Sequence, residues 1–206
     1  MTYAIQLTLG RRDLAKLKVK DDYSVHRVIF SLFEDVRSEE DKQNGSSGFV
    51  FADLGGNALA RRFIIVSDRP PMEVELEAGS SLEAKKIPET FYTSDLYRFR
   101  ILICPTKRNS KTGKLECIRT REEISNWFVS RSAGWGFEVC PGLTVDKNNG
   151  RQFRGKSERN INISQAEISG VLRVTDREAF KKSVEHGIGR GRAWGLGLLQ
   201  VVPLVI

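Results

Sequence analysis

Hydrophobic and polar residues alternate through Tyr3 to Leu9, which is the period-two pattern of a β-strand with one buried face. A pattern with spacings of three and four follows and predicts a helix, whose apolar face is formed by Val25, Val28, Ile29, Leu32 and Phe33. Asp21 or Asp22 can cap this helix, because a carboxylate there accepts hydrogen bonds from the first unpaired main-chain N–H groups. The pattern therefore predicts a strand followed by a helix.

A hairpin is predicted next, after an acidic loop at 38–48 that contains Gly and Ser. Two strand-like runs, Gly48–Leu54 and Arg62–Ser67, enclose the Gly-Gly-Asn sequence at 55–57. Glycine and asparagine between two apolar runs are typical of a tight turn between antiparallel strands.

The second half of the chain repeats this mixture of elements. Helices are predicted at Thr120–Ser132 and from Asp176 to about His186, and strands at Tyr97–Cys104, Phe137–Val145, Asn160–Val174 and Leu198–Val205. A polar loop is predicted at 105–114. A basic connection between the second and third of these strands contains Lys147, Arg151, Arg154, Lys156 and Arg159.

Each half thus has the order strand, helix, strand, strand, which predicts an α+β protein. We expect two tandem ferredoxin-like (RRM-like) domains with a C-terminal glycine-rich loop. The boundary is placed after Leu96, so that the domains comprise residues 1–96 and 97–206.

Basic charge is concentrated in the second half. Residues 1–96 hold 13 Lys/Arg and 16 Asp/Glu, a net charge of −3, whereas residues 97–206 hold 20 and 10, a net charge of +10. This asymmetry indicates a polyanionic partner, and a solvated basic surface without a partner is the alternative. Because the basic residues are spread over strands and loops, the pattern favours nucleic acid over a membrane surface.

Composition narrows the class of protein further. The 40% of hydrophobic residues suffices for a core, and no apolar run approaches the roughly 20 residues of a membrane-spanning helix. The N-terminal sequence lacks the apolar block of a signal peptide. Cys104, Cys117 and Cys140 are odd in number and lack Cys-x-x-Cys spacing, so we expect neither a disulfide framework nor a zinc site. These features predict a soluble, cytoplasmic protein.

A glycine-rich segment is the most distinctive local feature, with Gly187, Gly189, Gly191, Gly195 and Gly197 and, between them, Arg190 and Arg192. Glycines expose main-chain N–H groups and allow a phosphate backbone to approach closely. A dinucleotide-binding loop is excluded, because Trp194 stands at the third glycine position and the segment leaves a helix to enter a strand. A helix end and a turn would explain one or two glycines but hardly all five, which favours phosphate binding.

His26 and Tyr23 lie three residues apart in the first predicted helix and therefore share one face. An imidazole can transfer protons near neutral pH, and a phenol beside it can orient a phosphate. The alternative is a half-buried packing tyrosine beside a solvated histidine, which the pattern alone favours.

The chain resembles the CasE family, CRISPR repeat-processing endoribonucleases of the type I-E system within the repeat-associated mysterious protein (RAMP) superfamily. The resemblance rests on the Tyr-x-x-His helix at 23–33, the strand at 97–107 that ends in Pro and a basic residue, and the C-terminal sequence 170–204 with its glycine loop. These motifs occur in the family's order and cover most of the chain. Leu196 departs from the pattern, since relatives often carry cysteine there, and residues 36–89 carry no matching motif.

The resemblance implies two ferredoxin-like domains and metal-independent cleavage of CRISPR precursor RNA at the 3′ side of the repeat stem-loop. In this family the 2′-hydroxyl attacks the adjacent phosphate and leaves a 2′,3′-cyclic phosphate. His26 would be the general acid or base and Tyr23 would position the scissile phosphate. No cofactor is implied. The protein would remain bound to the guide RNA as a subunit of the Cascade complex.

RNA-contact candidates are the glycine loop and the basic residues of the second half: Gly187, Gly189, Arg190, Gly191, Arg192, Gly195, Gly197, Arg98, Arg100, Lys107, Arg108, Arg151, Arg154 and Arg159. Two other functions compete with the nuclease. The first is a non-catalytic subunit that binds an RNA hairpin, and the second is an enzyme acting on a small phosphate compound. His26 distinguishes the nuclease from the non-catalytic subunit, because pure binding does not need the Tyr-x-x-His arrangement.

Overall fold

The structure is a computed structural model that describes residues 1–36, 47–57, 59–154 and 160–204. The helices are α1 (Arg11–Lys16), α2 (Asp22–Phe30), α3 (Arg121–Ser132) and α4 (Arg177–His186). The strands are β1 (Tyr3–Gly10), β2 (Phe49–Gly56), β3 (Ala60–Ser67), β4 (Ser81–Lys86), β5 (Leu96–Ile103), β6 (Thr106–Arg108), β7 (Leu115–Cys117), β8 (Phe137–Val139), β9 (Thr144–Arg154), β10 (Asn160–Val174) and β11 (Gln200–Pro203). Most of the predicted acidic loop at 38–48 lies outside the described residues.

The first unit is an antiparallel sheet in the order β2-β3-β1-β4, which is the strand order of a ferredoxin-like fold. Alternate residues of β1, namely Ile5, Leu7 and Leu9, are buried and pack with Val25 and Ile29 of α2. The chain passes from β3 to β4 through residues 68–80 without a helix in this described stretch. Sequence patterning missed β4, because five of its six residues are polar or alanine.

The second unit has the order β11-β5-β10-β8, again ferredoxin-like, and β9 also pairs with β10. Its core joins the strand residues Tyr97, Phe99 and Phe137 to Phe128 of α3 and Phe180 of α4, all at most 1% exposed. The predicted α+β class with two ferredoxin-like units is confirmed. The division into domains at 96/97 stays a prediction.

One predicted strand is broken in the structure. The strand predicted at Phe137–Val145 is interrupted, because Pro141 has no main-chain N–H and Gly142 adopts a left-handed φ of 97°. The chain resumes as β9 at Thr144 and runs to Arg154 beside β10. The basic connection predicted here is therefore largely a β-ribbon.

The prediction of a polar loop at 105–114 is also wrong. Its first residues form β6, which pairs with β7, and Asn109 closes the turn by accepting hydrogen bonds from the N–H groups of Lys111 and Thr112. Strands β6 and β7 are short and mostly polar, so no alternation of hydrophobic and polar residues indicated them. The last strand is likewise shorter than predicted and comprises Gln200–Pro203.

Helix α2 begins where the sequence predicts, because Asp21 and Ser24 cap it reciprocally. The Asp21 carboxylate accepts a hydrogen bond from the Ser24 N–H at 2.8 Å, and the Ser24 hydroxyl accepts one from the Asp21 N–H at 2.9 Å. Val25, Val28 and Ile29 are buried against the first sheet. This cap fixes the first turn of the helix, where Tyr23 lies.

Replacing Asp21 with Ala is expected to lower the free energy of unfolding by about 1 kcal/mol, a typical value for a lost cap. The hydrogen bond from Ser24 holds the pKa of Asp21 below its ordinary value. The charged cap therefore stabilises the fold above the pKa of an unfolded aspartate, and this contribution is lost as the pH falls through the lower folded pKa. Urea unfolding at neutral and acid pH measures both effects. Asp21→Asn, which keeps an acceptor, should retain most of the stability without this pH dependence.

The two units meet along a seam in which Val50, Ala52 and Val66 of the first sheet pack with Leu198. A largely apolar cleft of about 830 Å³ is lined by residues of both sheets, Val66 of the seam and Leu198 among them. Ile64 lines the cleft from the first sheet, and Phe99, Val201, Arg98 and Arg100 are among the lining residues from the second. Helix α2 of the first unit also contacts the 3-10 turn of the loop that follows α4.

Candidate active site

The glycine-rich segment leaves the end of α4 and folds back on itself. The Ile188 N–H donates to the carbonyl of Gly197 at 2.8 Å, and the Gly197 N–H donates to the carbonyl of Leu102 at 2.7 Å. Between them a 3-10 turn at Arg192–Trp194 is flanked by Gly191 and Gly195, both left-handed. The segment is therefore a closed loop anchored on the end of β5.

All five glycines have a structural reason to be glycine, contrary to the expectation that a structural role would hardly explain them. Each has a positive φ, between 69° and 84°. An added Cβ would also approach neighbouring atoms closely: 2.8 Å from the Gly197 oxygen at Gly187, 3.1 Å from Ile103 at Gly189, 2.9 Å from Leu196 at Gly191, 3.0 Å from Phe51 at Gly195 and 2.3 Å from the Ile188 oxygen at Gly197. Their contact with RNA stays a prediction.

His26 lies against this loop. Its Nδ1 atom is 2.9 Å from the main-chain oxygen of Ala193. The imidazole also contacts the rings of Phe30 and Trp194, with centroid distances of 4.0 and 5.0 Å. The structure thus brings together two features that the sequence identified separately and that stand 167 residues apart.

The sequence did not indicate Ala193 or Trp194 as partners of His26. Ala193 acts through its main-chain carbonyl, which every residue has, so no residue type could have marked it. Trp194 is half-buried and packs both on the imidazole and on the small cluster that contains Ile163 and Leu196.

Tyr23 is half-buried beside His26, with ring centroids 6.4 Å apart and planes inclined by 25°. Its ring packs on a small cluster that contains the buried residues Ile163 of β10 and Leu196 of the glycine loop. The tyrosine therefore joins α2 to both the loop and the β9–β10 ribbon. Its helper role in catalysis stays a prediction.

Arg190 and Arg192 are exposed on the glycine loop. Arg190 forms a β-bridge with Cys104, and the Arg192 guanidinium donates to the main-chain oxygen of His186 at 3.0 Å. Burial raises the pKa of the Cys104 thiol, so this neighbour of the loop stays a neutral thiol and is a poor nucleophile at neutral pH.

Lys107 and Arg108 lie exposed on β6. Lys107 pairs with Glu123 at 3.1 Å, and Arg108 donates to the main-chain oxygen of Gly113 at 2.8 Å. Exposed ion pairs of this kind contribute little to stability. Both side chains can therefore turn to a phosphate at small cost.

The structure does not bring Arg98 and Arg100 to His26. Both line the cleft between the sheets, which neither His26 nor Tyr23 lines. Arg100 also donates two hydrogen bonds of 2.8 Å to Glu167. Arg151 and Arg154 belong to β9, their side chains lie outside the described part, and Arg159 lies outside the described residues altogether.

No three His, Cys, Asp or Glu side chains in the described part of the chain cluster as metal ligands would. Metal independence of the cleavage stays a prediction.

None of the described helices has the length and apolar character needed to span a bilayer.

The structure has two ferredoxin-like units, and helix α2, which carries His26, lies against the glycine-rich loop. Comparison with known sequences identifies the family of the chain. The sequence model described as "CRISPR associated protein" matches residues 2–203. The chain belongs to this family.

A curated relative is the CRISPR-associated endoribonuclease Cse3 of Thermus thermophilus, which is 30% identical over 119 residues. The matched stretch spans 52% of this chain and only 55% of that relative's length. Among solved structures, CRISPR endoribonuclease Cse3 bound to a 19-nucleotide RNA has a TM-score of 0.78 at 23% identity and covers 98% of this chain and 100% of its own. A chain of a CRISPR RNA-guided surveillance complex has a TM-score of 0.71 at 20% identity, with the same coverage. These structural likenesses show the fold.

Proposed function

We propose that this protein is a metal-independent endoribonuclease that cleaves CRISPR precursor RNA at the 3′ side of the repeat stem-loop. The observation that carries the proposal is the contact of His26, from the first unit, with the glycine loop of the second. Family membership and the similarity to a relative named as an endoribonuclease support the same activity.

In the proposed reaction the 2′-hydroxyl before the scissile phosphate attacks phosphorus, and the bond to the following 5′-oxygen breaks. The products are a 2′,3′-cyclic phosphate and a 5′-hydroxyl. One proton leaves the 2′-oxygen and one reaches the 5′-oxygen, so the reaction is balanced without a cofactor. His26 transfers one of these protons as general acid or base. The Tyr23 hydroxyl hydrogen-bonds a phosphate oxygen and stabilises the charge that develops there.

The basic second half supplies the binding surface. Double-stranded RNA is recognised mainly through its phosphates and its A-form shape, which suits the spread of positive charge over β6, the glycine loop and the β9–β10 ribbon. Arg190 and Arg192 are exposed on the loop whose Ala193 carbonyl contacts His26, so they are assigned the role of holding phosphates near His26. Arg98 and Arg100 would contact RNA only where it enters the cleft.

After cleavage, the protein is proposed to stay bound to the mature guide RNA in the cytoplasm as a Cascade subunit. The likeness to a chain of a surveillance complex supports this assignment. A non-catalytic subunit that only holds the RNA hairpin is the second candidate, because the same fold would serve it. The contact between His26 and the loop favours the nuclease, since binding alone does not require an oriented imidazole.

The test is cleavage of a labelled RNA hairpin with a 3′ single-stranded flank, taken from the CRISPR array beside the gene. We expect cleavage at the base of the stem in the presence of EDTA, and a product whose 3′ end is a 2′,3′-cyclic phosphate. Tight binding without cleavage would instead support the non-catalytic subunit. Cleavage that requires Mg²⁺ would overturn metal independence but leave the nuclease assignment intact.

A further inference from the structure

The contact between His26 and Ala193 constrains where the imidazole carries its proton. A carbonyl oxygen can only accept a hydrogen bond, so at 2.9 Å the Nδ1 atom must be the donor. In the neutral ring the lone pair then lies on Nε2. An unconstrained neutral histidine in water favours the opposite tautomer, with the proton on Nε2.

We propose that the glycine-rich loop orients His26: the Ala193 carbonyl holds a proton on Nδ1, so that Nε2 is the atom that gains and gives up the proton. The kinetic part of this inference rests on the proposed nuclease function, whereas the tautomer itself does not. Gly191 and Gly195 are positioning residues in this scheme, because they act on the histidine through the loop.

The loop is built to hold this carbonyl in place. The 3-10 turn that contains Ala193 is closed by a hydrogen bond from the Trp194 N–H to the Gly191 oxygen at 2.8 Å. Gly195 follows with a φ of 76° and lies so close to Phe51 of β2 that an added Cβ would approach that ring to 3.0 Å. The carbonyl is thus fixed against the sheet of the first unit, which also carries α2.

The ring plane of His26 is constrained as well. Phe30, one helical turn later in α2, and Trp194, next to Ala193, both contact the imidazole. A histidine held by a carbonyl on one nitrogen and by two aromatic rings has little freedom to flip. Orientation of this kind lowers the cost of bringing the catalytic nitrogen to the reacting oxygen.

The tautomer can be read directly by NMR, without RNA. The chain has two histidines, His26 and His186, so selective ¹⁵N labelling of histidine gives two rings, and His186→Gln assigns them. We expect neutral His26 to show a protonated Nδ1 and an unprotonated Nε2. The exposed His186 serves as the internal reference. A protonated Nε2, or averaged signals like those of His186, would overturn the proposal.

A matched pair of glycine variants tests the consequence for catalysis. Gly195→Ala forces a residue into a φ of 76° and against Phe51, whereas Gly55→Ala meets the same φ of 76° with no described atom within 4 Å. We expect Gly195→Ala to lose the Nδ1–H signature and to lower the cleavage rate at saturating RNA by up to about 10²-fold. Gly55→Ala should keep the signature, the rate and the affinity.

The outcomes separate this inference from the nuclease proposal. Weaker RNA binding by Gly195→Ala with an unchanged rate at saturation would make the loop an RNA contact and overturn its positioning role. If the unmodified protein does not cleave RNA, the nuclease proposal fails while the tautomer is still decided by NMR. If Gly195→Ala does not fold, which circular dichroism shows, the spectrum of the unmodified protein alone decides.

Discussion

Replacing His26 with Ala is expected to lower the rate of repeat-RNA cleavage by about 10²–10⁴-fold, the usual contribution of a positioned acid or base. RNA affinity should barely change, because the imidazole is held by Ala193 and the neighbouring rings and is not part of the basic surface. Single-turnover cleavage at saturating RNA measures the rate, and filter binding of an uncleavable 2′-deoxy substrate measures the affinity.

His186→Ala is the matched control for this experiment. It removes the other histidine of the chain, which is exposed at the end of α4. The main-chain oxygen that accepts from Arg192 is retained in this variant. We expect an unchanged rate. A wild-type rate in His26→Ala would remove His26 from the reaction, and an equal loss in both variants would indicate a general effect on folding.

RNA affinity is expected to fall steeply with salt. If the second half neutralises six phosphates, release of the condensed counterions weakens binding by about 10³-fold between roughly 50 and 200 mM salt. The net charge of +10 on residues 97–206 is the physical reason for this expectation. Titration of labelled hairpin at several salt concentrations gives the slope of log affinity against log salt.

Two charge variants test where the slope originates. Neutralising Lys107 or Arg108 on β6 should reduce the slope by about one for each phosphate contact that is lost. Lys16→Gln is the control, since this exposed lysine belongs to the acidic first half and pairs with Glu77. An affinity that does not depend on salt would contradict binding through phosphates.

Local signals in the sequence predicted much of the fold. Helices α2 and α4 begin after Asp21 and Asp176 as expected, because each aspartate accepts a hydrogen bond from the N–H three residues on. The long strand β10 has the predicted bounds, Asn160–Val174. These elements carry their own start signals and periodicity. Pro141 and Gly142 are residue types that interrupt strands, but the apolar residues around them favoured the prediction of a continuous strand.

The candidate site was predictable in its parts and not in its assembly. His26 and the five glycines stood out as residue types. Their contact could not be predicted, because it joins positions 167 residues apart through the main-chain oxygen of Ala193. The close packing of the glycines was equally hidden, since the atoms they meet belong to other elements such as Phe51 of β2 and Ile103 of β5.

The distance along the chain between His26 and Ala193 has a consequence during synthesis. The ribosome releases α2 long before it releases the turn at Arg192–Trp194, so the helix is synthesised well before the loop that it contacts. Closing a contact between positions so far apart in the chain costs more loop entropy than closing a local one. A nascent chain that lacks the glycine loop therefore carries an unoriented histidine, and the proposed cleavage activity would be complete only once the second unit has docked.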